Sequence, residues 1–188
     1  MHQLLLLRHA KSSWEDASLA DRDRALTARG RRAATAMRRA MRELGLAPDV
    51  VLVSTSKRTL ETMSLLEPWD DTPLIEPMGE LYLADVPRLF NVLRAVAETV
   101  RSVLVIGHNP GLHDCAIALT AADASAAPPL HAARPLHAAR PLHDVRDGFP
   151  TGALAEFSVI GPWARLDTGG ARLLRFLTPK MLDSAGTR

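Results

Sequence analysis

Three uninterrupted apolar runs, each leading into a histidine or an arginine, constrain this chain more than anything else in it. Leu4-Leu5-Leu6-Leu7 runs into Arg8-His9. Val50-Val51-Leu52-Val53 runs through Ser54-Thr55-Ser56-Lys57 to Arg58, and Val103-Leu104-Val105-Ile106 runs through Gly107 to His108. Runs this short, β-branched in the second and third cases and bounded by polar residues or glycine and proline, read as buried strands of a parallel sheet. In open α/β sheets, sites form beyond the carboxyl ends of the strands. Two histidines and two arginines should therefore meet at one sheet edge. That is a nucleophile among anion-binding cations, an arrangement suited to phosphoryl transfer.

Between these runs the pattern alternates strand and helix. Strand 1 spans about Gln3 to Leu7. Thr27 reads as the N-cap of a helix to Leu44, with Ala33, Met37, Ala40, Met41 and Leu44 on one face and Gly45 as its stop. Strand 2 spans Asp49 to Val53, and a helix holding Arg58, Leu60, Met63 and Leu66 follows. A short extended piece near Pro73 to Glu76 leads to Glu80-Leu81-Tyr82. Asp85 and Pro87 mark the start of a helix whose stripe is Val86, Leu89, Leu93, Val96 and Val100. Strand 4 spans Val103 to Ile106, and Asn109-Pro110 reads as N-cap plus first-turn proline of the next helix. Two strands close the pattern, Ala153 to Ile160 and Arg172 to Leu177. The fold class this predicts is α/β: a three-layer α/β/α sandwich with a mainly parallel central sheet.

Length and composition narrow the function. At 188 residues the chain reads as one domain over 1–188, with a low-complexity insertion at about 121–150. The formal charge of +2 argues weakly for nucleic acid, and one cysteine, Cys115, excludes an intramolecular disulfide or a cysteine-based metal cluster. No apolar stretch reaches spanning length and the first apolar run is too short for a signal peptide, so a soluble cytoplasmic protein, with no membrane partner, is expected. Oligomeric state is not legible. The insertion carries a hexapeptide repeat, Pro-Leu-His-Ala-Ala-Arg twice and then Pro-Leu-His-Asp-Val-Arg, ending at Arg146. A proline every six residues rules out a regular helix. His131, His137 and His143 lack companion ligands at usual metal spacing, so a low-complexity surface loop is the preferred reading over a metal tract. His113-Asp114-Cys115 are adjacent rather than a turn apart, which favours a partly buried helix face over a metal site.

The four residues imply specific roles. A neutral imidazole at His9 can attack phosphorus, provided its other nitrogen is held by an acceptor. Arg8 and Arg58 suit the equatorial oxygens, because guanidinium binds phosphate in a planar, bidentate way. His108, if protonated, adds a donor. Arg58 and His108 both fall near helix starts, which favour anions.

Further motifs then bring a family into view. Arg8-His9-Ala10-Lys11-Ser12-Ser13-Trp14, Asp21-Arg22-Asp23-Arg24-Ala25-Leu26-Thr27 with Gly30, Ser54 to Thr62, Leu81 to Asp85 and Gly107-His108-Asn109-Pro110-Gly111-Leu112 occur in order. Together they resemble the histidine phosphatase (phosphoglycerate mutase-like) superfamily, in particular the short bacterial branch of SixA-type phosphohistidine phosphatases. The resemblance implies a phosphorylated nucleophile at His9, a phosphate pocket of Arg8, Arg58 and His108, and no metal or organic cofactor. It implies a further phosphate-binding arginine at Arg24, whose alternative is an ion pair with Asp21 or Asp23. Many members protonate the leaving oxygen with a carboxylic acid. Glu80 is the nearest candidate, with Glu76 behind it, and a solvated loop carboxylate is its alternative. Trp14 lines the pocket rim or packs over the sheet edge.

The chain departs from the mutase branch at Ala10 and Lys11, and it has little room between strands 2 and 4 for a helical lid. The expected activity is therefore hydrolysis of phosphohistidine on signalling or phosphotransfer proteins, through a covalent intermediate on His9. The alternatives are a small-molecule phosphomonoesterase and, further off, a non-catalytic phosphate-binding module. The partner is a phosphoprotein or a small phosphorylated substrate.

Overall fold

The computed structural model describes residues 2–69, 71–121 and 145–185. All but the last two residues of the hexapeptide repeat lie outside that set, including His131, His137 and His143. The three apolar runs form β1 (His2–Arg8), β2 (Val50–Ser54) and β4 (Ser102–Gly107), with β3 (Leu74–Met78), β5 (Leu154–Val159) and β6 (Ala171–Leu177) completing one six-stranded sheet in the order β3-β2-β4-β1-β5-β6. The β3-β2, β2-β4 and β4-β1 pairs are parallel, and β5 runs antiparallel to both β1 and β6.

The continuous runs are explained by two cores. Leu4 and Leu6 of β1, Val50 and Leu52 of β2, and Val103 and Val105 of β4 enter one. Leu5, Leu7, Val51, Val53, Leu104 and Ile106 enter the other. Alternate residues point to opposite faces, so a strand covered on both sides must be apolar throughout. Helices α1 (Ala28–Glu43) and α2 (Lys57–Leu66) cover one face together with α5 (Pro179–Ala185), while α3 (Val86–Arg94) and α4 (Gly111–Leu119) cover the other. The protein is a three-layer α/β sandwich. Edge strand β3 carries Pro77, the position such a residue tolerates.

Most helix boundaries match their signals. Thr27 caps α1 by accepting from Gly30 N, Asp85 caps α3 by accepting from Arg88 N, and Gly45 ends the first helix at φ 66°. Two expectations fail. Helix α3 stops at Arg94, so Val96 and Val100 pack against the core from the connection beyond it. Asn109 does not cap α4; the cap position is Pro110, and Asn109 Nδ2 instead donates to the Phe149 carbonyl at 3.0 Å. Val145 and Phe149, inside the stretch read as low-complexity insertion, are buried in the core. Among the described residues no helix is long and apolar enough to cross a membrane.

Candidate active site

Register brings the site together. Arg8 pairs with Gly107, and Val53 with Ile106, so β1, β2 and β4 end at one level. His9 and His108 follow directly, and Arg58 is the second residue of α2. The imidazole centroids of His9 and His108 lie 5.2 Å apart. Arg58 Nη2 lies 3.3 Å from His108 Nδ1. Arg8, His9, Arg24, Arg58 and His108 all line one pocket of about 290 Å³.

Hydrogen-bond partners fix both tautomers. His9 Nδ1 is 2.8 Å from the Ala10 carbonyl, which can only accept, so Nδ1 carries the proton and Nε2 keeps its lone pair. His108 is the reverse. Its Nδ1 faces a guanidinium that can only donate, and its Nε2 donates to Ser54 Oγ at 2.8 Å. Burial, chiefly, and the neighbouring Arg58, Arg8 and Arg24 charges lower the His9 pKa to about 4, against the Ala10 bond that raises it. Burial, chiefly, lowers that of His108 to about 3, with His9, Arg58 and Arg8 acting in the same sense. Asp21 opposes these effects only in part, so His108 is a neutral ring in this arrangement, and a protonated His108 would need a further negative charge beside it to offset burial.

The cations are held at different depths. Arg58 is 3% exposed and Arg24 6%, while Arg8 is half-buried. Arg8 Nη1 donates to the Phe149 carbonyl at 2.7 Å, and its Nε is buried without a hydrogen-bond partner among the described residues. Burial first and then Arg58 lower the Arg8 pKa. Guanidiniums gathered this closely disfavour one another unless an anion joins them.

An internal carboxylate plays that part. Asp21 Oδ1 accepts from Arg24 Nη1 and Oδ2 from Arg58 Nη2, both at 2.8 Å, and Tyr82 donates to Oδ2 at 2.7 Å. The Tyr82 bond first, then those of Arg58 and Arg24, hold the Asp21 pKa at about 2, against burial. Arg24 also donates to the Ser13 carbonyl and to Ser12 Oγ, and its guanidinium lies over the Trp14 ring. Arg24 thus forms the ion pair with Asp21 that was one of its two sequence readings, and it also lines the pocket. Trp14 is 73% exposed and lines the rim.

Glu80 stands apart. It is exposed on the 3-10 turn Gly79–Leu81 and is not among the residues lining the pocket; Leu83, a little further on, is. Glu76, on edge strand β3, is exposed and outside the lining as well. Among the described residues Asp21 is the one carboxylate that lines it. His113 Nε2 donates to the Val145 carbonyl, Cys115 is fully buried with its pKa raised to about 12 by burial, and no described cluster of three metal-ligating side chains exists.

Several positioning groups carry no chemistry a sequence motif would advertise. Thr62 Oγ1 accepts from Ala10 N at 3.0 Å and donates to the Arg58 carbonyl at 2.7 Å, tying the two together. Its spacing one turn after Arg58 was the available signal. Gly30 packs so tightly that a Cβ there would lie 2.1 Å from the Lys11 carbonyl oxygen, and one at Gly111 would lie 1.7 Å from that of Ala84. Gly152, at φ 78°, donates its N–H to the Arg8 and His9 carbonyls. The Phe149 carbonyl receives both Arg8 and Asn109, and a backbone acceptor has no sequence signature.

Comparison with known proteins gives the family and the fold. The family model for the histidine phosphatase superfamily (branch 1) matches residues 4–77. An uncharacterized protein of Mycobacterium tuberculosis strain H37Rv is 32% identical over 174 residues, covering 93% of this chain and all of that one. A protein from Nakamurella multipartitia, provisionally assigned as a phosphohistidine phosphatase SixA, superposes with a TM-score of 0.77 at 29% identity, covering 95% and 96% of the two chains. One from Agrobacterium tumefaciens with the same provisional assignment gives 0.75 at 28%, covering 95% and 98%. The chain belongs to the histidine phosphatase superfamily, in its SixA-type branch. Its fold and family are those of a phosphatase.

Proposed function

We propose that this protein hydrolyses phosphohistidine on signalling or phosphotransfer proteins, through a covalent phosphohistidine on His9. The observation that carries the substrate is the pocket's lack of a proton donor of the carboxylic type among the described residues. Asp21 is held ionised by Tyr82 and two guanidiniums, and Glu80 lies outside the lining. An alkoxide leaving from a phosphomonoester needs a proton. An imidazole that already carries a proton on its other ring nitrogen departs neutral and needs none.

The chemistry then runs symmetrically. His9 Nε2 forms a bond to phosphorus as the substrate N–P bond breaks. His9 keeps its Nδ1 proton on the Ala10 carbonyl, so the phosphorylated ring is an imidazolium, and water later displaces it as neutral imidazole. Arg8, Arg58 and Arg24 take the equatorial oxygens, with Asp21 giving up its guanidinium contacts to the phosphoryl group. A phosphoryl dianion beside His108 favours a proton on Nδ1, which turns that acceptor into a donor.

Phosphate release in EDTA, from a phosphohistidine protein and from a panel of phosphomonoesters, tests this. Turnover should favour phosphohistidine, vanish in His9→Ala and persist in Glu80→Gln. Preference for monoesters together with loss in Glu80→Gln would establish the phosphomonoesterase instead. Phosphate binding without turnover on any substrate would point to the binding module.

A further inference from the structure

A second, larger concavity opens from the phosphate pocket. This cleft, of about 1060 Å³, shares Arg8, Lys11, Asn109 and Thr151 with it. Its floor includes Ala33, Pro150 and Pro179, over Phe149 and Phe176 packed edge to face with centroids 5.2 Å apart. Lys11, Arg29 and Lys180 stand exposed along it, and none of the three side chains has a hydrogen-bond or ion-pair partner among the described residues. Among the described residues Asp147 is the one carboxylate in the lining.

A phosphoryl group and its imidazole are served by the smaller pocket alone, whose volume is at the low end for a ligand site. The cleft is sized for more, apolar below and cationic at its edge. Phe149 and Phe176 are 2% and 1% exposed, so the cleft offers no stacking platform for nucleic-acid bases. Carboxylates with short apolar stems satisfy both surfaces, and a polypeptide supplies them at regular spacing. Resting on the phosphohistidine reading above, we infer that the cleft holds an acidic segment of the protein substrate, the stretch flanking its phosphohistidine, against Lys11, Arg29 and Lys180. Such rim charges act mainly on encounter and are screened by salt.

The test uses two pentapeptides with phosphohistidine at the centre, one flanked by two Asp on each side and one by two Asn. At low salt the Asp peptide should show kcat/KM roughly tenfold higher. That advantage should fall as salt is raised and disappear in the double variant Arg29→Gln/Lys180→Gln, with the Asn peptide unaffected. Both residues are exposed, so folding is not at risk. Equal values for the two peptides, or an advantage that survives the double variant, overturns the cleft assignment. Fluorescence anisotropy of the labelled peptides on His9→Ala protein reads the same ratio in Kd without turnover. A tenfold binding ratio with no phosphohistidine turnover by the wild type would overturn the substrate reading and leave the cleft standing. Displacement of the Asp peptide by oligothymidylate at lower concentration than by an unphosphorylated Asp peptide would assign the cleft to nucleic acid and overturn the proposal.

Discussion

The floor of the phosphate pocket and its outer wall hold polar groups in opposite ways. On the floor, His9, Arg58 and His108 are 8%, 3% and 3% exposed. They sit at strand ends and a helix start, with ring protons fixed by Ala10 and Ser54. On the wall, Asp21 and Trp14 come from the long connection between β1 and α1, and Tyr82 and Leu83 from the turn before α3. The Asp21 side chain is 42% exposed, Trp14 is 73% exposed, and Leu83 is 54% exposed in the left-handed region at φ 51°. The floor is preorganised by buried contacts that cannot slide without opening the core. The wall is held by bonds that an arriving anion can replace one for one. On the proposed reading, reaction belongs to the first region and admission to the second.

Changing the floor should therefore act on kcat and changing the wall on binding. The largest effect is expected from Arg58→Lys, which keeps the charge but loses the fork shared between Asp21 and the His108 side of the pocket. It should lower kcat by about 10²–10³-fold with little change in KM. A variant that only raised KM would erase the distinction between floor and wall.

A smaller effect is expected at the wall. Asp21→Asn removes the internal anion from Arg24 and Arg58 while keeping an acceptor for Tyr82. Inorganic phosphate should inhibit about 3–10-fold more tightly, with kcat changed less than KM, because the ligand no longer competes with a carboxylate. Weaker inhibition would mean that Asp21 holds the guanidiniums in place for the substrate instead of standing in for it.

The smallest expected effect sharpens the comparison most. The kcat/KM of the free enzyme, corrected for substrate ionisation, should stay flat from pH 8 to about 5, because His9 remains neutral until its pKa of about 4. An acid limb near 6.5 would show that the floor is more open to water than its burial implies. Stability shares this origin. Both folded-state histidine pKa values lie below the ordinary 6.5, so unfolded imidazoles take up protons that the folded ones refuse. The contribution is fully present above pH 6.5 and is lost as pH falls toward 4 for His9 and toward 3 for His108, which a thermal melt series would follow as a declining Tm.

The floor was largely legible from the chain alone. Continuous apolar runs admit few structures besides strands covered on both faces, and a parallel sheet brings their carboxyl ends together. His9, Arg8, Arg58 and His108 were thus fixed by pattern and topology, and Thr27, Gly45 and Asp85 by local capping chemistry. Asn109 misled because its side chain found the Phe149 carbonyl, a long-range partner, in preference to its local cap role. Glu80 was suggested by the family resemblance, and its place on an exposed turn outside the pocket lining was decided by the fold.

What the sequence determined by itself was thus the layering, the strand ends and the residues gathered beyond them, because periodicity and capping act over a few residues. Tertiary structure alone decided the protonation of the two imidazoles, the capture of Arg24 and Arg58 by Asp21, and the use of Thr62, Gly30 and the Phe149 carbonyl as supports. Each of these depends on burial or on a partner far along the chain, and desolvation and close approach are properties of a packed interior that no local pattern encodes.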